Sequence, residues 1–493
     1  MTSVRGMVAP LGVRDFRRYY LGHTASAFGD TLTPLAVAFA VLHLTGSPAD
    51  LAVVLLGGRL PVIVLTLVGG ALGDRFSRRG VMLVADMIRF LAHGVTALLL
   101  LTGVAQLWML VVLQLVAGMG SALFNPAAVG LVLSLAGKER LQEANSLLAI
   151  SRSTTSILAL AVAGALVATV GPGWAVLIDA GTFLVSAAFL QRLPHTPLGL
   201  NAERSAQPPD ANPGPNAGPP SRTADGNPER GADPPDGDPG RSVGLSGRAG
   251  GGKREGRAGL PASIGAGVAA VGSRSWLWVW IVHVSLTNMI VVSPFLVLGP
   301  YVADQHLGGA PAWSAIGIGY AVGGLAGGVV SARWRPRRPM VAALLVFLLM
   351  APLPALLAVP AATWLLVIAA AGAGLQLVVY NVAQTTAVQR DVPEELVARV
   401  SSVVMLGALV AAPLGMALAG PAAAAYGAGP VLASSAALTV LFTLATLLVP
   451  SVWRVTGGTS PDRGGDVSPE QGEGLSPGRD EGPSPRPGRQ PVP

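Results

Sequence analysis

Twelve mostly apolar stretches, each close to the length that crosses a lipid bilayer, constrain this chain more than anything else in it. They run at about 18–44, 50–72, 80–103, 106–133, 144–170 and 173–192, then 276–300, 311–332, 338–359, 361–385, 397–420 and 427–450. About 20 residues at roughly 1.5 Å each cover a hydrocarbon core about 30 Å thick. Inside lipid every backbone N–H and C=O must be satisfied within the protein, and a helix does that by itself. Only 12% of the residues are charged, where a soluble domain carries about a quarter. The sequence therefore predicts an all-α membrane protein with twelve transmembrane helices. Most of the stretches contain Gly or Pro, which membrane helices tolerate.

The basic residues give the topology. Arg5, Arg14, Arg17 and Arg18 precede or open the first stretch, and Arg75, Arg78 and Arg79 follow the second. Lys138 and Arg140 follow the fourth, Arg333, Arg335, Arg337 and Arg338 the eighth, and Arg390 the tenth. The alternate connections GSPAD, TGVAQ, GPG, YVADQHLGGAP and VPAAT contain no Lys or Arg. By the positive-inside rule both termini face the cytoplasm, which predicts a multi-pass protein of the cytoplasmic membrane. The pI near 10.3 follows from this topology, and no nucleic-acid partner is expected. The start of the chain lacks the apolar core of a cleaved signal, because Arg14, Arg17, Arg18 and His23 stand there.

Between the sixth and seventh stretches the composition shifts to Pro, Gly, Asp and Arg, as in QPPDANPGPNAGPPSRT. Such a segment has little apolar surface to bury. The expected organisation is an N-terminal six-helix half at 1–192, a disordered cytoplasmic linker at 193–262, a C-terminal six-helix half at 263–453 and a disordered cytoplasmic tail at 454–493. Residues 263–275 are expected to form a short amphipathic helix. The halves echo one another. Gly69-Gly70 before Asp74-Arg75 matches Gly327-Gly328 before Ala332-Arg333, Phe124-Asn125 matches Tyr380-Asn381, and KERLQEANSL matches PEELVARVSSV, all offset by about 255–258 residues. Two pseudo-repeat halves with a site between them is a transporter plan.

There are no cysteines, so disulfides, thiolate metal sites and cysteine nucleophiles are excluded. No P-loop, HExxH or catalytic constellation occurs, so neither enzyme activity nor a cofactor or metal is expected. The expected partners are a small-molecule substrate, protons and membrane lipids, with the chain acting as a monomer.

The stretch GGALGDRFSRRG, between the second and third spans, sets an acid and three arginines behind a run of glycines. The glycines allow close helix packing, and Asp74 can cap the positive end of a neighbouring helix. Gly70, Asp74, Arg75, Arg78, Arg79 and Asp86 are candidate members of a gating latch; the other reading is a plain positive-inside loop. The stretch resembles the signature loop between helices two and three of the major facilitator superfamily. Gly70, Leu72, Asp74, Arg75, Arg78 and Arg79 match that pattern, Ser77 stands where Gly is usual, and the second-half copy has Ala332 in place of the acid. RDFRRYYLGHTASAFGD, VADMIRF, LFNPAAVGLVLSLAGKERLQEANSL and QTTAVQRDVPEELVARVSS are similar to the branch containing the enterobactin exporter and macrolide efflux proteins. That resemblance implies alternating access and export of small molecules, generally driven by the proton gradient. The place of a Gly-Pro signature common in antiporters reads Ala159-Leu160 here.

Ionisable groups at mid-bilayer cost at least about 2.5–3.5 kcal/mol each, so they are functional candidates by default. Asp30 and Arg59 fall at similar depth in the first two spans, which predicts an ion pair serving either proton coupling or helix packing. Asp179 is a further proton-coupling candidate. Arg89, Arg152, Asn125, Tyr380, Asn381 and Gln384 are candidates for a substrate cavity. His93 and His283 are expected to pack or hydrogen-bond between helices, and Trp276, Trp278 and Trp280 to form an interfacial belt. The expected function is secondary active export of a small, partly hydrophobic molecule (drug, siderophore or secondary metabolite) by proton antiport. Alternatives are an importer or uncoupled facilitator of the same fold, and a non-transporting membrane scaffold or sensor.

Overall fold

The computed structural model describes residues 8–69, 77–137, 139–194, 272, 275–334, 336–392 and 394–454. Twelve helical passes follow in order: α1 (Arg14–Thr45), α2 (Pro48–Gly69), α3 (Arg78–Thr102), α4 (Leu107–Ala136), α5 (Leu141–Thr169) and α6 (Pro172–Gln191). The second set is α7 (Ser275–His306), α8 (Ala310–Arg333), α9 (Pro339–Ala358), α10 (Thr363–Asp391), α11 (Glu394–Tyr426) and α12 (Ala428–Leu447). Eleven are long and apolar enough to cross a bilayer, and Val410–Tyr426 of α11 is a shorter apolar helix. The fold is an all-helical membrane protein.

Two passes are irregular, and both breaks precede prolines. In α7 a π turn at Asn288–Val292 comes before Pro294. Proline lacks the N–H that a regular helix requires. The carbonyl of Ile290, four residues before Pro294, accepts instead from the Ser435 hydroxyl on α12 at 2.7 Å, and the Ser293 hydroxyl lies 2.8 Å from the carbonyls of Asn288 and of Ala412 on α11. In α9 a single 3-10 turn at Leu348–Met350 precedes Pro352.

The burial pattern of α3 leads to the site. Its buried stripe is Met82, Ala85, Asp86, Arg89, Ala92, His93, Thr96 and Ala97, while Val84, Leu91 and Leu98 are exposed. Apolar side chains face outward and ionisable ones face protein, which suits a helix surrounded by lipid. α1 packs on α6 and α5, α3 on α6 and α4, and α2 on α4. In the second set α8 packs on α10, and α9 on α10. Most of the expected linker and tail, the short helix expected at 263–275, and the latch residues Gly70, Asp74 and Arg75 lie outside the described residues.

Candidate functional site

α1, α3 and α6 enclose a chain of polar side chains at mid-helix. Arg89 on α3 is its hub. Its Nη2 lies 2.5 Å from Oδ1 of Asp86, one turn earlier on α3, and its Nη1 lies 3.4 Å from both carboxylate oxygens of Asp30 on α1. The guanidinium is sandwiched between the rings of Phe124 and Phe183, 4.3 Å from each centroid, a placement that favours a cation. Ser186 on α6 donates to the other oxygen of Asp86 at 2.7 Å. The three groups differ in their access to solvent. Arg89 is 4% exposed and Asp86 fully buried, but the Asp30 side chain is 46% exposed. Asp30 is therefore the open end of a buried ion-pair relay.

A second cluster sits one to two turns further along the same helices. Asp179 on α6 is fully buried and accepts from the Thr33 hydroxyl. Nδ1 of His93 lies 2.6 Å from that same carboxylate oxygen. Gly29 makes this convergence possible, because a Cβ at position 29 would collide with the side chains of Asp179 and Thr182.

The two sets of helices meet along two seams, α5 with α8 and α2 with α11. Ser314 on α8 donates to the Leu160 carbonyl on α5, and Gly164 lies against Ser314. Gly420 on α11 abuts Ala49 at the start of α2. Nε2 of His43 on α1 stands 3.4 Å from Oδ1 of Asp304 on α7. All these contacts fall at the end carrying the α1–α2, α5–α6, α7–α8 and α11–α12 turns. Toward the opposite end of α5, Leu141, Gln142, Asn145, Ser146 and Ala149 line an open groove of about 610 Å3. Among the described residues, these contacts between the two groups thus lie at one end of the molecule.

A two-seam arrangement of six plus six helices is shared with known proteins. The family model of the Major Facilitator Superfamily matches residues 19–416. The chain belongs to the major facilitator superfamily. It is 36% identical to the MFS-type transporter YfiS of Bacillus subtilis (strain 168) over 172 residues, 35% of this chain and 40% of that one. It is 31% identical to the multidrug efflux pump Tap of Mycolicibacterium fortuitum over 169 residues, 33% of this chain and 41% of that one. The chain thus spans less than half the length of each of these relatives. The crystal structure of the nucleoside transporter NupG superposes with a TM-score of 0.62 at 12% identity, covering 88% of this chain and 98% of that one. The superfamily is one of secondary transporters rather than enzymes.

Within this superfamily fold several expected site residues change partners. The pair Asp30–Arg59 does not form. Asp30 binds Arg89, because α1 packs on α6 beside α3 and turns that carboxylate toward α3. Arg59 is exposed and has no ion pair among the described residues. Asp86 binds Arg89 and Ser186 inside the bundle, away from the latch arginines. Arg78 and Arg79 bind helix backbone instead: Arg78 donates to the Gly130 carbonyl inside α4 at 2.6 Å, and Arg79 caps the end of α6 at the Gln191 carbonyl at 2.7 Å.

Arg89 is a buried pair member rather than a cavity side chain. Tyr380 is also buried, stacked on Trp280 with centroids 4.4 Å apart and packed beside His283 and Phe347. Trp276 and Trp280 are core residues, and only Trp278 of the three expected belt tryptophans is exposed. Among the remaining cavity candidates, Arg152, Asn125 and Asn381 are exposed and Gln384 is half-buried. His93 is the site residue whose place the sequence understated. Its spacing from Asp86 and Arg89 on one helix face was the available signal.

Proposed function

We propose that this chain is a proton-coupled exporter of small, partly hydrophobic molecules. In this reading it lies in the cytoplasmic membrane with both termini inside, and residues 1–192 and 263–453 rock against each other. The positive-inside pattern then makes the end where the two groups touch the outer one, so in this reading the transport cavity opens to the cytoplasm. The resemblance to the branch of siderophore and macrolide exporters supports export, as does the similarity to a multidrug efflux pump.

The observation that carries the reading is Asp30. It is the solvent-open carboxylate of a cluster that sets Asp30, Asp86 and Asp179 against Arg89 and His93. The three carboxylates outnumber the one fixed cation, Arg89, so the cluster can accept a proton. Asp30 is the member that is open to solvent. When Asp30 takes that proton, Arg89 keeps Asp86 as its partner and the link from α1 to α3 is released. Loss of the proton restores the link. Protonation is thereby tied to the packing of α1 against α3, which is what an antiporter requires of its coupling group.

The test is proton movement in energised inside-out vesicles holding the full chain, challenged with siderophores, macrolides and lipophilic cations. A compound that dissipates the pH gradient with wild type but not with Asp30→Asn is the expected result. Dissipation that survives Asp30→Asn would remove Asp30 from the coupling role.

A further inference from the structure

The polar chain between α1, α3 and α6 has two layers. In the first, Asp30 on α1 meets Arg89 on α3, and Asp86 on α3 meets Ser186 on α6. In the second, Thr33 on α1 and His93 on α3 meet Asp179 on α6. His93 stands seven residues after Asp86, and Asp179 seven residues before Ser186, as two antiparallel helices in contact require. Asp30 and Thr33 are one turn apart on α1. They tie that helix to α3 in one layer and to α6 in the other. Release of Asp30 from Arg89 therefore leaves α1 still fastened to Asp179.

The second tie has its own way of taking up a proton. Asp179 is fully buried, and both of its oxygens are engaged, one by Thr33 and His93 and the other by the Thr182 hydroxyl at 3.4 Å. The His93 side chain is 9% exposed, and its Nε2 has no hydrogen-bond partner among the described residues. Solvent thus meets the pair at the imidazole. A carboxylate only accepts, so Nδ1 of the neutral ring carries the hydrogen of the 2.6 Å contact and Nε2 keeps a lone pair.

The transfer balances. A proton from water binds Nε2, and the hydrogen on Nδ1 passes to Oδ2 of Asp179. The ring is neutral again with its hydrogen on Nε2, and Asp179 is a neutral acid whose O–H donates to Nδ1. Thr33 then bonds to a neutral oxygen, where a charged acceptor would hold it roughly twice as strongly.

The charges agree. The carboxylates Asp30, Asp86 and Asp179 face one fixed cation, Arg89. With His93 neutral, the cluster has an excess of two negative charges. Protons on Asp30 and Asp179 remove both, and Asp86 stays paired with Arg89. The helices packed on α3 add nothing to this count: α6 has no ionisable side chain besides Asp179, and α4 has none. On α1 the acid within electrostatic reach of His93 and Asp179 is Asp30.

We infer that His93 and Asp179 form a second protonation site, entered at Nε2 of His93, and that freeing α1 takes a proton there as well as one on Asp30. The inference rests on the proton-coupled reading and extends it to two protons for each molecule exported.

The first test needs no substrate. The full chain in lipid vesicles is acidified over the range in which histidine changes charge, about pH 8 to 5, and followed by infrared difference spectroscopy. Wild type should show two carboxylic-acid carbonyl bands, one absent from Asp30→Asn and the other from Asp179→Asn. His93→Gln should lose the Asp179 band and keep the Asp30 band, which also shows that the first layer still folds. Thr33→Val should keep both. No Asp179 band in wild type would overturn the inference, and so would an Asp179 band that persists in His93→Gln. The second test is the reversal potential of flux in proteoliposomes, using the siderophore, macrolide or lipophilic cation that dissipates the pH gradient. Two protons per molecule are expected for wild type and one for His93→Gln. A ratio of one in wild type would overturn the second proton. If no compound moves with protons, the coupled reading fails while the infrared result still decides the protonation site.

Discussion

The interiors of the two helix groups solve the same packing problem in opposite ways. Between α1, α3 and α6 the centre is ionic, with Arg89 held by two carboxylates and two aromatic rings, and Asp179 held by Thr33 and His93. Between α7, α9 and α10 the corresponding place is a stack of Trp280, His283, Phe347 and Tyr380, with ring centroids 4.4–6.4 Å apart. Phe124 and Tyr380 occupy matching positions of the repeat. One touches a guanidinium and the other touches neutral rings. An ionic centre can change charge and partners, whereas an aromatic one holds a fixed shape. In the proposed mechanism the first group is the part that senses a proton, and the second is the body against which it moves.

The largest test of that contrast is a matched pair of truncations. Arg89→Ala and Phe347→Ala should each lower thermal stability in detergent by about 3–5 kcal/mol, the first by stranding buried Asp86 and the second by leaving a cavity. They should differ in rescue. Adding Asp86→Asn to Arg89→Ala should recover a large part of the loss, since it removes the stranded charge. Failure of that rescue would mean that the first group is held by shape as well.

Gly29→Ala comes next. The added methyl must displace Asp179 or Thr182, at a cost of about 1–3 kcal/mol. A wild-type unfolding midpoint for this variant would show that α1 does not sit this close to α6.

Tyr380→Phe should be neutral or stabilising by up to about 1 kcal/mol, because the buried hydroxyl has no partner among the described residues. A clear loss would reveal a bound polar group in the second centre and narrow the contrast between the halves.

The smallest effect is expected from His43→Ala at the end where the two groups touch. The half-exposed pair with Asp304 should contribute about 0–1 kcal/mol. Its loss should slightly raise labelling of a reporter cysteine placed at Ala49. A large rise would make this pair the main fastening of that end.

The fold was legible because bilayer thickness and loop charge are read directly from sequence. The site was legible in height but not in azimuth. Counting residues along a helix placed Asp30 and Arg59 at similar depth, and nothing in that count says which arginine α1 faces. The packing of α1 on α6 beside α3 decides it. A turn of about 100° per residue also separates neighbours: Tyr380 is buried while Asn381 beside it is exposed, and Trp280 is buried while Trp278 is not. The better sequence signal was the stripe Asp86, Arg89, His93 on α3, whose spacing puts three ionisable groups on one face, a face that lipid would not accept.

The one-ended contact has an electrical consequence. In the proposed reading, with water reaching Asp30 from the cytoplasm, most of the transmembrane voltage falls across the stretch between Asp30 and the outer side. A unit charge crossing that stretch would gain or lose close to 2.3 kcal/mol per 100 mV. A proton crossing that stretch to reach Asp30 would be driven by the voltage as well as by the pH difference, although Asp30 itself stands only halfway along α1.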